Sequence, residues 1–155
     1  MDRTGIVTIG IVVTISLGLA GMIWGSKLAH AAGMLMIHAE MSLPDAVERC
    51  GSGWRYGCVH GAVMTYADQH GATLSLCDQF TSEQYLNCLH GIGHAFAAQH
   101  SGSLADAVAL CDDIPACLSG VYMEYGAPVP CHELADRYQA YCRASEQYYA
   151  ILGLW

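Results

Sequence analysis

Residues 85–100 read Y-L-N-C-L-H-G-I-G-H-A-F-A-A-Q-H, and this stretch decides the fold. It holds one cysteine, three histidines and two glycines in a run that is otherwise almost wholly apolar. Thirty residues earlier stands C-V-H-G-A-V-M-T-Y-A-D-Q-H, from Cys58 to His70. The shift aligns Cys58 with Cys88, His60 with His90, Gly61 with Gly91 and Gln69-His70 with Gln99-His100. A fainter copy, C-L-S-G-V-Y-M-E-Y, runs from Cys117 to Tyr125, with Ser119 in the place of His90 and Met123 in the place of His94. Repeats of this length mean stacked helical hairpins, because one hairpin alone cannot bury its apolar face. The glycine shared by all three copies weakens a helix, so it signals close approach of a neighbouring helix.

The front halves of the hairpins are also repeated. Residues 42–50 read S-L-P-D-A-V-E-R-C and residues 103–111 read S-L-A-D-A-V-A-L-C. Each opens on a serine with an aspartate three residues later, a capping signal for a short first helix. Pro44 falls in the first turn, where it is tolerated. Gly51-Ser52-Gly53 ends one such helix, T-x-x-Q at 81–84 reads as a capping box for the next, and Pro115 opens the third. Each turn is bracketed by cysteines: Cys50 and Cys58, Cys77 and Cys88, Cys111 and Cys117. Residues eight apart in one straight helix lie ~12 Å apart, beyond disulfide reach, but across a tight hairpin they meet. Three bridges within hairpins are therefore expected. Cys131 and Cys142 remain, on what reads as a polar helix over 131–142 followed by a second short helix from about Ser145 to Trp155. That pair joins only if the helix breaks, or else finds other partners. Tyr148, Tyr149, Ile151, Leu152, Leu154 and Trp155 give the tail an apolar end expected to dock on the core.

The N-terminus is of another kind. Residues 5–25 carry no charge, and about twenty apolar residues in a helix span a bilayer. Ala29-His30-Ala31 matches a signal-peptide cleavage signature, but the apolar run exceeds the usual signal core, which favours a retained anchor. Arg3 and Lys27 flank it evenly, so orientation comes from the cysteines, whose disulfides need an oxidising side. Gly5, Gly10, Gly18, Gly21 and Gly25 permit close packing with other membrane helices. The chain thus divides into an anchor and juxtamembrane helix at 1–41, three hairpin repeats at 42–126 and capping helices at 127–155. From Ser42 onward there are 12 Asp and Glu against 4 Arg and no Lys, so this part carries the whole net charge of −8. That balance excludes nucleic acid as a partner. The absence of C-x-x-C excludes a thioredoxin-like redox pair and a zinc ribbon.

The aligned helices set side chains in columns. One is His60, His90, Ser119; the other, a turn on, is Met64, His94, Met123, with Glu124 beside it. His90 and His94 share a helix face at a chelating spacing. The intervening Gly-Ile-Gly lacks the glutamate of a zinc protease. Imidazole with thioether suits copper better than calcium or magnesium. The same residues also read as structural: histidines hydrogen-bonded to backbone, methionines filling core. Met34, Met36, His38 and Met41 form a further methionine- and histidine-bearing collar, read chiefly as packing. His70 and His100 read as helix C-terminal groups, where positive charge is favourable. No nucleophile arrangement, paired carboxylates or phosphate loop is present, so no catalytic activity is expected.

Paired helices of about thirty residues with a cysteine pair per hairpin resemble the disulfide-stapled Sel1-like and tetratricopeptide-like solenoids of secreted bacterial proteins. The resemblance covers residues 42–126 and lies in architecture, because the consensus tryptophan-leucine-glycine pattern of those repeats is absent. It implies binding of peptides or proteins. The expectation is an all-α protein: an N-terminal transmembrane helix, then a disulfide-stapled, solenoid-like hairpin domain on the extracytoplasmic side. It acts as a binding or scaffold module, an accessory subunit of a membrane complex. The alternative is a copper-binding, copper-delivery or redox protein using His60, His90, His94, Met64, Met123 and Glu124.

Overall fold

Helices packed on one another make the core of the computed structural model, which describes Gly25 and residues 27–51, 56–126 and 128–152. Helix α1 runs over 27–38, α2 over Leu43–Cys50, α3 over Tyr56–His70, α4 over Ser82–Gln99, α5 over Leu104–Ala109, α6 over Pro115–Tyr125 and α7 over Asp136–Leu152. Two 3-10 turns, Leu74–Gln79 and Cys131–Glu133, interrupt the series, and no strand occurs among the described residues. The apolar segment expected to cross a membrane lies outside the described residues, save Gly25. Among those described, no helix is long and apolar enough to cross one.

The three hairpins are α2–α3, the turn Leu74–Gln79 with α4, and α5–α6. Bridges Cys50–Cys58, Cys77–Cys88 and Cys111–Cys117 staple them as the spacing predicts, and no cysteine is free. Ser42 and Ser103 cap α2 and α5 by accepting the N–H of Asp45 and Asp106. Gly51 ends α2 in the left-handed region, at φ 68, with its N–H donating to the Glu48 carbonyl. The capping box at 81–84 does not form: Ser82 itself takes φ 54, and Thr81 makes no side-chain cap bond. In α4 every residue from Cys88 to Ala97 is buried, because neighbours press on all its sides. Fully burying a side chain such as Leu89 or Ile92 there contributes about 1.5–3 kcal/mol.

Glycine contacts reveal a duplication of about sixty residues. A Cβ on Gly33 of α1 would overlap the Cys58 carbonyl of α3; a Cβ on Gly93 of α4 would overlap the Cys117 carbonyl of α6. Reciprocally, Gly61 lies against the His30 carbonyl and Gly120 against the His90 carbonyl. So α1 crosses α3 just as α4 crosses α6, backbone to backbone. Between the two pairs, Gly91 receives the Val63 side chain, 3.0 Å from where a Cβ would stand.

The C-terminal segment departs from expectation. Residues 131–142 are not one helix. Cys131–Glu133 is a 3-10 turn, Leu134 is extended and buried, and α7 begins only at Asp136. It then continues unbroken to Leu152, with no second helix starting at Ser145. The break is what lets Cys131 reach Cys142 in the second turn of α7, closing the fourth bridge. Helix α7 covers α6: the Tyr141 hydroxyl donates to the Pro115 carbonyl at 3.0 Å, and the rings of Tyr122 and Tyr141 lie 6.0 Å apart. The side chains of the apolar tail lie outside the described set.

Candidate metal centre

The side chains of His60, His90 and His94 meet in the space enclosed by the long helices. All three are buried, and one ligand nitrogen from each lies within 4.8 Å of the others. The glycine crossings bring this about. Gly120 admits the backbone of α4 at His90, and Gly91 admits α3 beside His60, so imidazoles on different helices converge. Ring centroids stand 5.1 Å apart for His60 and His90, 4.1 Å for His60 and His94, and 4.9 Å for His90 and His94.

Hydrogen bonds around the cluster fix where the protons sit. The Ser119 hydroxyl donates its one proton to the Ala116 carbonyl at 2.8 Å. At the 2.8 Å contact between His90 Nδ1 and Ser119 Oγ, the imidazole must therefore donate. His94 Nδ1 stands 2.7 Å from Glu124 Oε2. That carboxyl is held below the usual range, first by its hydrogen bond to His94, against the opposing effect of burial. An ionised carboxylate only accepts, so His94 Nδ1 donates as well. With both rings neutral, both Nε2 atoms present lone pairs, and they face each other at 3.2 Å. Two lone pairs at that distance repel unless a proton or a metal ion lies between them. Two imidazoles on one tetrahedral zinc-sized ion place their nitrogens about 3.4 Å apart, given metal–nitrogen bonds of about 2.0–2.1 Å.

Electrostatics keep His60 and His90 in the ligating form. Burial, then the charge of His94, pushes the His90 pKa down to about 3, with a hydrogen bond to the Ala116 backbone acting the other way. Burial, followed by the charges of His94, His90 and His30, lowers His60 well below its ordinary value. Neutral imidazole is the form that binds a metal. Glu124, with its side chain 39% exposed, joins the cluster to solvent. A carboxylate that holds the far nitrogen of a ligating histidine fixes the ring and raises its basicity.

Of the residues marked on the sequence, His60, His90 and His94 form the compact set, and Glu124 completes it through His94. Ser119, aligned with the histidine column, supplies the hydroxyl that orients His90. Met64 and Met123 are half-buried. Met64 also lines a surface groove of about 380 Å³ with Met34, His38 and Asp68. Met36 and Met41 pack against the core, as packing residues should. His70 lies in the last turn of α3, and His100 is the C-cap of α4. The residue that sequence reasoning missed is His30. Its ring stands edge-on to His60 at 5.0 Å. The signal was present: the period of thirty, carried one step back from His60, lands on it. No protein-family model, curated protein or solved structure matches this chain.

Proposed function

We propose that this chain is a non-catalytic metal-binding module whose helical-repeat domain holds one transition-metal ion at His60, His90 and His94. One observation carries the reading: the Nε2 atoms of His90 and His94 face each other at 3.2 Å while each Nδ1 is committed outward. The donors are imidazoles, which suit zinc and copper rather than calcium or magnesium. Four disulfides support an oxidising, extracytoplasmic setting, with residues 5–25 as the tether. The test is native mass spectrometry of the full chain, isolated in detergent from an oxidising compartment, with zinc or copper supplied. One ion per chain, absent from the double variant His90→Ala, His94→Ala, is the expected result. A wild-type chain that retains neither metal rejects the proposal.

A second reading, an accessory subunit of a membrane complex, is favoured by the outer face of α1. Leu28 and Leu35, two helical turns apart, are 67% and 66% exposed there. On that reading, replacing both with glutamate abolishes co-purification of the partner from membranes. The two readings are compatible, since a metal in the core and a partner on α1 use different surfaces.

A further inference from the structure

We infer that His30 is the fourth ligand of the centre, which makes it a closed four-imidazole site rather than one with an open, water-bearing position. This rests on the metal reading above and sharpens it. Structural sites are four-coordinate with protein ligands, whereas catalytic sites leave one position for water or substrate. The difference decides whether the ion is held or used.

Three observations put His30 beside the site and point to its role in it. The first is the duplication. His30 occupies on α1 the place that His90 occupies on α4, and each seats its carbonyl on a glycine of the crossing helix, Gly61 and Gly120. The second is distance. The ring of His30 lies 5.0 Å from that of His60, within the range spanned by the cluster's own pairs. Imidazoles sharing one tetrahedral ion have ring centroids about 5 Å apart. The third is its position at the rim. His30 is half-buried, where the other three are buried, and it lies within electrostatic reach of both His94 and Glu124. His30 stands outside the set whose ligand atoms all fall within 4.8 Å. Closing the site therefore requires its side chain to rotate inward about Cα–Cβ. Helix α1 itself need not move, because Gly33 already seats it against the Cys58 carbonyl.

The consequence is that the ion ties α1 to α3 and α4. No water bound to the metal is left to ionise, so the site carries no hydrolytic nucleophile.

Cobalt(II) loaded into the full chain tests this, because its visible absorption reports ligand identity. The wild-type spectrum is expected to be unchanged by azide and constant from pH 6.5 to 9. In His30→Ala and His30→Gln the vacated position takes water, so azide should shift the bands. A pH transition should also appear near 7, where metal-bound water ionises. A wild-type spectrum that responds to azide overturns the inference without recourse to any variant. So does a His30 variant whose spectrum and azide response match wild type. A wild-type chain that takes up no cobalt, zinc or copper instead rejects the metal reading on which this one rests.

Discussion

Acidifying the metal-free protein from pH 7 to pH 5 should destabilise it by about 2 kcal/mol through His90 alone. In the unfolded chain this imidazole binds a proton at its ordinary value of 6.5; in the folded chain burial and the charge of His94 lower that to about 3. Burial and the charge of His94 outweigh the one opposing influence on it, the hydrogen bond to the Ala116 backbone. His60 and His94 are imidazoles, and the Ser119 hydroxyl has given its proton to Ala116. The sign follows from linkage. Above 6.5 both states are neutral at this residue and its burial costs nothing in pH terms. Between 6.5 and 3 the unfolded state binds the proton and the folded state does not, so stability falls by up to about 1.4 kcal/mol per pH unit. Below 3 the loss is complete. At pH 5 the protein is about 1.5 units into that window, hence the figure of about 2 kcal/mol. His60, lowered chiefly by burial, adds to the loss. Glu124 does not contribute in this range: its lowered carboxyl keeps its stabilising effect above the unfolded value of 4.5 and loses it only as pH falls below that. The assay is urea denaturation followed by far-ultraviolet circular dichroism at pH 7, 6 and 5, with disulfides intact and a chelator present. His90→Gln, which does not titrate, should flatten the slope. A wild-type stability that is the same at pH 7 and pH 5 would refute the reasoning, because it would mean the buried cluster accepts protons as readily as solvent-exposed imidazole.

The remaining predictions concern single parts of the fold. Glu124→Gln keeps an acceptor near His94 Nδ1 but removes the charge, so metal affinity in a competition titration should fall about 10–100-fold, and the apo melting curve should shift down through loss of the stabilising carboxylate. Gly61→Ala and Gly120→Ala force a Cβ into the carbonyls of His30 and His90, and each should cost about 1–3 kcal/mol in urea titrations. Gly102→Ala, where a Cβ meets nothing within 4 Å, should be neutral or stabilising by up to about 1 kcal/mol, and a loss there as large as at Gly120 would contradict the crossing argument. Replacing Cys131 and Cys142 together with alanine opens an eleven-residue separation. It should lower stability by about 3 kcal/mol, read as a drop in the urea midpoint.

The hairpin order was legible because it is written in a backbone requirement. A glycine where two helices cross cannot be exchanged for a larger residue without moving a carbonyl, so Gly61 and Gly120 stand at matching places. A cysteine on each side of a tight turn meets its partner whatever the intervening residues are, so the bridges of all three hairpins could be read from spacing. What was illegible depends on local geometry that spacing does not encode. The T-x-x-Q sequence at 81–84 is a sound capping signal only if the chain enters the helix from an extended residue directly into helical φ, and Ser82 does not. The helix read over 131–142 looked continuous because nothing between Glu133 and Asp136 breaks a helix by residue type. The break falls at Leu134, which is extended and buried and whose carbonyl accepts from the Gln139 side chain of α7, a tertiary effect.

His30 shows the same division from the other side. In sequence it sits between two alanines just after an apolar segment, where a cleavage signature is the nearer explanation and the fainter period of thirty is drowned by it. In space it stands at the rim of the histidine cluster. The pairing of Gly33 with Cys58 and of Gly61 with His30 repeats the pairing of Gly93 with Cys117 and of Gly120 with His90. That makes the sixty-residue pair of crossed helices, rather than the thirty-residue hairpin, the unit that sets side chains at the centre. A hairpin alone contributes one histidine column with nothing facing it. Two crossed pairs, packed through Gly91 and Val63, bring imidazoles of α3 and α4 to one place with His30 of α1 at the rim, and leave a serine and a glutamate behind them as orienting groups. On α6, Ser119 stands at the place aligned with His60 and His90, while Glu124 stands one residue past the place aligned with His94, and the two accept the outward N–H groups of His90 and His94.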